Sequence, residues 1–102
     1  MSTLPFRSSS EQMQNAAQCL KAIAHPARLQ MIEILLDQEM SVGELAEATS
    51  TPHNVASEHL SRMKNHGLLS SFRDGRNTIY RIEEPGLRSI IQCVQARYRT
   101  SG

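Results

Sequence analysis

Apolar positions along the chain fall first into helical spacing, then into strict alternation, and then into helical spacing again. Met13, Ala16, Ala17, Leu20 and Ile23 recur every three or four residues. That period predicts an amphipathic helix running to the interruption "AHPAR". Pro26 suits the first position of a second helix. This helix carries Leu29, Met31, Ile32, Ile34, Leu35 and Leu36 and is apolar on most sides, so it belongs at the centre of the core. It ends in the polar "DQE".

Ser41 and Glu44 form an S-x-x-E capping box, and Val42, Leu45, Ala46 and Thr49 repeat at helical spacing behind it, predicting a short third helix of about two turns. Pro52 then takes a first helical position with Thr51 or Ser50 as its cap. Ala56, Leu60 and Met63 form the inward stripe of a fourth helix over 52–66, which Gly67 ends in the left-handed conformation. Alternation takes over in "LLSSFR" and "NTIYRI", joined through "DG" and Arg76, the pattern of a β-hairpin. Pro85 opens a last helix with the stripe Leu87, Ile90, Ile91, Val94 and Tyr98. Little chain remains to cover that stripe, so a second copy of the chain is its expected partner.

The predicted fold is mainly α with a small β-hairpin, in the order α-α-α-α-β-β-α. A short helix, a tight turn, a longer helix and a hairpin tipped with arginine make the layout of a winged helix-turn-helix. The Ser/Thr-rich residues 1–10 read as a flexible arm, and 11–102 as one DNA-binding and dimerisation domain.

With Leu60 at the centre of the buried stripe and 100° per residue, Asn54, Glu58, Ser61, Arg62 and Asn65 point outward, Ser57 lies beside them, and His53 sits in the first turn. Short polar side chains let a helix backbone approach base edges, and asparagine can pair with adenine through two hydrogen bonds. Asn54 and His53 are therefore the leading base-reading candidates. Glu58 can accept from a cytosine amino group, although its charge opposes nearby phosphates. Arg73, Arg76 and Asn77 surround the hairpin tip, where guanidinium groups can meet phosphates or enter the minor groove. Arg28, at the start of the second helix, is a further phosphate candidate.

A length of 102 residues holds about one domain with a single modest core. The chain has 39% hydrophobic and 21% charged residues and lacks the apolar run of roughly 18 to 20 residues that spans a bilayer. "MSTLPFRSSS" lacks the pattern of a secretory signal, so the expected location is cytoplasmic, with no membrane partner. The net charge of +1 is less informative than its segregation. Glu33, Asp37, Glu39, Glu44 and Glu47 cluster in one stretch, whereas Arg62, Lys64, Arg73, Arg76 and Arg81 face Asp74 alone in another. An enzyme is not expected, because neither a Gly-rich phosphate loop nor a paired-carboxylate motif occurs. His25, His53, His59 and His66 show no H-x-x-x-H spacing, so they form no metal motif. His25 reads as a cap or packing residue, and His59 lies at the core edge.

The blocks "LKAIAHPARLQMIEILL", "SVGELAEAT", "NVASEHLSRMKNHGLL" and "RDGRNTIYRI", in that order, resemble the ArsR/SmtB family of winged-helix repressors over residues 16–98. The resemblance implies a homodimer formed by the first and last helices. It also implies binding to a pseudo-palindromic operator in double-stranded DNA, with repression until an effector weakens the complex. The family's Cys-x-Cys metal site would fall in "MSVGELA", which has no cysteine. Its last-helix site would fall in "EEPGLRSIIQCVQARY", which has no histidine. Neither a metal nor another cofactor is expected.

What remains is a pair of thiols, Cys19 in the first helix and Cys93 in the last. In a dimer like the family's these helices pack together. The thiols can then form a disulfide or polysulfide bridge, or chelate a soft ion such as arsenite or copper(I). Persulfide-sensing members pair a last-helix cysteine with one in the second helix, whose position falls near Glu33 here. Two readings stand beside this one. Buried cysteines also serve as small hydrophobes, and a winged helix can dock a protein in place of DNA, an alternative that the polar Asn54, Ser57 and Ser61 oppose.

Overall fold

Local capping chemistry sets where the elements begin. The computed structural model describes residues 8–99, in the order α1 (Ser10–Ile23), α2 (Pro26–Leu35), β1 (Met40–Ser41), α3 (Val42–Ala48), α4 (His53–Asn65), β2 (Leu69–Asp74), β3 (Asn77–Ile82) and α5 (Leu87–Tyr98). Of the predicted arm, residues 1–7 lie outside the described residues. Helix α1 starts at Ser10 because Ser9 and Gln12 cap each other. The Ser9 hydroxyl accepts from the Gln12 amide at 3.1 Å, and the Gln12 side chain accepts from the Ser9 amide at 2.8 Å. His25 caps α2 through Nδ1, which accepts from the Ala27 amide at 3.1 Å.

The predicted order holds, with one strand added. β1 pairs antiparallel with β3, Met40 opposite Tyr80 and Ser41 opposite Ile79, so β3 is the middle strand of three. Two residues are too few to display alternation. Ser41 closes this strand and caps α3 as expected, accepting from the Glu44 amide at 3.1 Å while Glu44 accepts from the Ser41 amide at 3.0 Å.

Two helix starts differ from expectation. Neither Ser50 nor Thr51 caps α4. Ser50 is held at φ 52°, and the Thr51 hydroxyl is spent on Thr49, which in turn donates to the Leu45 carbonyl at 2.7 Å. Pro52 is the cap residue, and no side chain caps this helix. The last helix starts at Leu87 and not at Pro85, because the Glu84 carboxylate takes the Gly86 amide at 2.8 Å and holds the segment in a turn. The C-terminus of α4 follows expectation, with Gly67 at φ 76° returning its amide to Lys64.

Met31, Ile32 and Leu35 of α2, Leu45 of α3, Ala56, Leu60 and Met63 of α4, and Leu69 and Tyr80 of the sheet fill the core. The last helix finds more cover in its own chain than expected. Leu87 and Ile91 are buried, and α5 is tied to α2 by Arg88 donating to the Leu36 carbonyl and Gln95 donating to Glu33. The α1 stripe is the one left open, since Met13 is 58% and Leu20 52% exposed, and Tyr98 at the end of α5 is 72% exposed.

Replacing Ser41 by Ala removes the α3 cap and is expected to cost about 1 kcal/mol. Urea unfolding should show a lower midpoint at unchanged slope; an unmoved midpoint would mean that the reciprocal cap does not hold α3.

Candidate nucleic-acid interface

The rotation of α4 about its axis decides which side chains reach outward. Ala56, Leu60 and Met63 are fully buried, which turns His53, Asn54, Glu58, Ser61, Arg62 and Asn65 into solvent and leaves Ser57 half-exposed. The polar face inferred from sequence is thus the exposed face.

The wing rises beside the N-terminal half of this helix. Its strands pair from Leu69 opposite Ile82 to Asp74 opposite Asn77, and Gly75 at φ 64° makes the reversal with Arg76. Register places Arg73 across from Thr78. Arg73 donates to the Thr78 hydroxyl at 3.3 Å and to the Gly75 carbonyl at 3.4 Å, so it braces the tip while staying exposed. A cleft of about 230 Å³ separates wing from helix. His53 and Ser57 line one wall, Arg73, Arg76, Asn77 and Thr78 the other, and the start of α3 the floor. Five of the six wall residues are sequence-stated candidates. Thr78 was missed, and the pairing to Arg73 is the signal that identifies it.

The basic residues of 62–81 play different parts. Lys64 donates to Ser71 at 2.8 Å and stitches α4 to the wing. Arg81 reaches Ser70 at 3.3 Å and Glu39 at 3.8 Å, holding the far end of the hairpin. Arg62 and Arg76 are exposed and form no ion pair among the described residues. Because no side chain caps α4 and its first turn holds no acidic residue, its positive end stays open toward the cleft, as anion binding requires.

On the other flank of α4, His59 stacks on His25 with ring centroids 4.5 Å apart. Burial, then His25 and Arg28, hold the His59 imidazole below its usual range, with Glu58 opposing them. Arg28 is 8% exposed, so a residue expected near phosphates is mostly buried. Arg28, Met31, Ile32 and Leu35 share one helical stripe, which is the signal for that burial.

Cys19 is half-buried against the core and Cys93 is exposed, both as free thiols. No three His, Cys, Asp or Glu side chains converge as a metal site among the described residues. No described helix is long and apolar enough to cross a membrane.

A short helix, a turn pinned by paired threonines, a 13-residue helix and a two-stranded wing define a winged helix-turn-helix regulator. Residues 25–71 match the family model described as bacterial regulatory protein, arsR family. The chain is 36% identical over 94 residues to the transcriptional regulator YgaV of Escherichia coli, covering 91% of this chain and 92% of that one. It is 30% identical over 79 residues to the transcriptional activator HlyU of Vibrio cholerae, covering 78% and 73%. Among solved structures it superposes on the homodimeric winged helix-turn-helix DNA-binding domain of Mb0332 from Mycobacterium bovis. That match has a TM-score of 0.76 at 29% identity and covers 95% of this chain and 89% of that one. The chain belongs to the ArsR family of bacterial transcriptional regulators and is not an enzyme.

The lowered imidazole has a consequence for stability. The unfolded chain takes up this proton first, so the contribution of neutral His59 is present above about pH 6.5 and is lost as pH falls through that value toward the folded pKa. His59→Gln should therefore lose less stability than the parent between pH 7.5 and 5.5 (about one unit either side of the unperturbed value) in urea unfolding; equal losses would remove His59 from the account.

Proposed function

We propose that this chain is a homodimeric repressor that reads a pseudo-palindromic operator through α4 and the wing. The reading rests on the cleft that His53 and Ser57, at the start of the polar face of α4, share with Arg73, Arg76 and Asn77 of the hairpin. Asn54 and His53, near the start of the helix, meet base edges in the major groove. Ser57, Ser61 and Arg62 lie along the same face and contact bases or backbone, while Glu58 selects for a cytosine amino group at some cost in affinity. Arg73, Arg76 and Asn77 meet the neighbouring phosphates or minor groove. The polar outward face favours DNA over a protein partner as its target.

Two such units on one duplex require a dimer with a fixed distance between recognition helices. The exposed Met13 and Leu20 of α1 and Tyr98 of α5 support α1 and α5 as the joining surface, and Mb0332 is itself homodimeric. Cys19 and Cys93 lie on those same two helices. Their oxidation to a disulfide, or bridging by sulfur, strains the joint and shifts the spacing of the two α4 helices, releasing DNA. The acceptor of the two electrons is an oxidant or polysulfide supplied by the cell.

Fluorescence anisotropy with promoter fragments tests the DNA reading. Asn54→Ala should lose about 1 to 3 kcal/mol of discrimination between operator and random DNA while random-sequence binding stays unchanged; equal loss on both would contradict base reading. Diamide treatment tests the thiol reading. Release from the operator by the parent but by neither Cys19→Ser nor Cys93→Ser is the expected result, and a parent that stays bound refutes the thiol switch.

A further inference from the structure

The flank of α4 turned away from the wing brings two guanidinium groups together with one acidic neighbour. Arg28 and Arg62 lie near one another beside the His25–His59 stack, with Glu58 as the acidic neighbour. Arg28 is the least comfortable of these. Only 8% of its surface is exposed, and its Nε is buried with no hydrogen-bond partner. It also stands in the first turn of α2, where the helix dipole is positive and a cation is disfavoured. Burial and the adjacent Arg62 both act against its charge, yet a guanidinium stays ionised in a protein.

A buried N–H without an acceptor costs roughly 1 to 3 kcal/mol and more on a charged group, so a position like this calls for an anion. His25 has committed Nδ1 to the Ala27 amide and stacks on His59, and no carboxylate pairs with Arg28 among the described residues. Arg62 is exposed on the recognition helix itself, so an anion that reached Arg62 from outside would come within the field of Arg28. A duplex lying along α4 supplies that anion as backbone phosphate. Helix geometry puts His59 and Arg62 on the side of α4 away from Ser57 and Lys64, the residues facing the wing.

We propose that Arg28, with Arg62 beside it and the His25–His59 stack behind it, is a DNA backbone-phosphate anchor on the flank of α4 opposite the wing. It rests on the reading that α4 meets DNA. The wing then grips one side of the recognition helix and Arg28 the other, so the helix is held in register in the groove from both sides. The contact carries no base information; it positions the residues that do.

The test is the salt dependence of binding to a random-sequence duplex between about 50 and 200 mM salt, measured for the parent, Arg28→Met and Arg28→Lys, each checked for folding by circular dichroism. The parent should show a steep slope of log affinity against log salt. Arg28→Met should be shallower by about 0.9 per protomer, the value of one lost phosphate contact, while Arg28→Lys keeps the parent slope. A folded Arg28→Met with the parent slope overturns the anchor and leaves the DNA reading standing, whereas a parent with no salt-dependent binding overturns both. If Arg28→Met does not fold, the Arg28 Nε–Hε resonance of the parent decides by NMR. Movement on addition of the duplex supports the anchor, and an unmoved signal overturns it.

Discussion

Ala56, Leu60 and Met63 are buried along one side of α4. Each large side chain of that stripe gains roughly 1.5 to 3 kcal/mol by leaving water, and together they lock the rotation of α4 about its axis. A slip of one residue, 100°, would carry Ser57, Ser61 and Lys64 toward the core and Leu60 toward solvent. In the proposed function the hydrophobic core therefore acts directly, by choosing the face offered to DNA. The turn before α4 serves the same end. Thr49 and Thr51 pin it and Ser50 accepts a left-handed backbone, which sets the direction in which the helix leaves α3.

Charge is divided between holding and reaching. Lys64, Arg73 and Arg81 make hydrogen bonds within the domain, stiffening the wing against α4 and against the segment before β1. Such exposed contacts contribute little to stability one by one. Their effect is geometric, because they keep the wing at a fixed distance from the helix and so define the cleft. Arg62 and Arg76 are exposed, and in the proposed function they are the side chains that trade solvent counterions for phosphates.

The helices and the hairpin were legible in the chain because each rests on a period or a cap that a few residues express. Ser41 with Glu44 announced α3, and Gly67 announced the end of α4. The outward face of α4 followed from Leu60 alone once helical geometry was applied. What sequence could not convey depends on partners distant in the chain. Met40–Ser41 became a strand only because Tyr80 and Ile79 were brought beside it. The start of α5 moved because a glutamate side chain captured a neighbouring amide. The His25–His59 stack joins residues from separate helices, and no local spacing encodes it. The apolar stripe of α5 was visible, but its docking on α2 was not, so the exposed surface proved to lie more on α1 than on α5.

In the proposed function, two α4 helices of one dimer lie in successive turns of the same DNA groove. Hydroxyl-radical footprinting on the DNA upstream of the protein's own gene tests this most directly. Paired protections are expected on one face of the duplex, about one helical turn of 10 to 10.5 base pairs apart or a multiple of it. A single protected patch, or uniform protection without discrete boundaries, would contradict it.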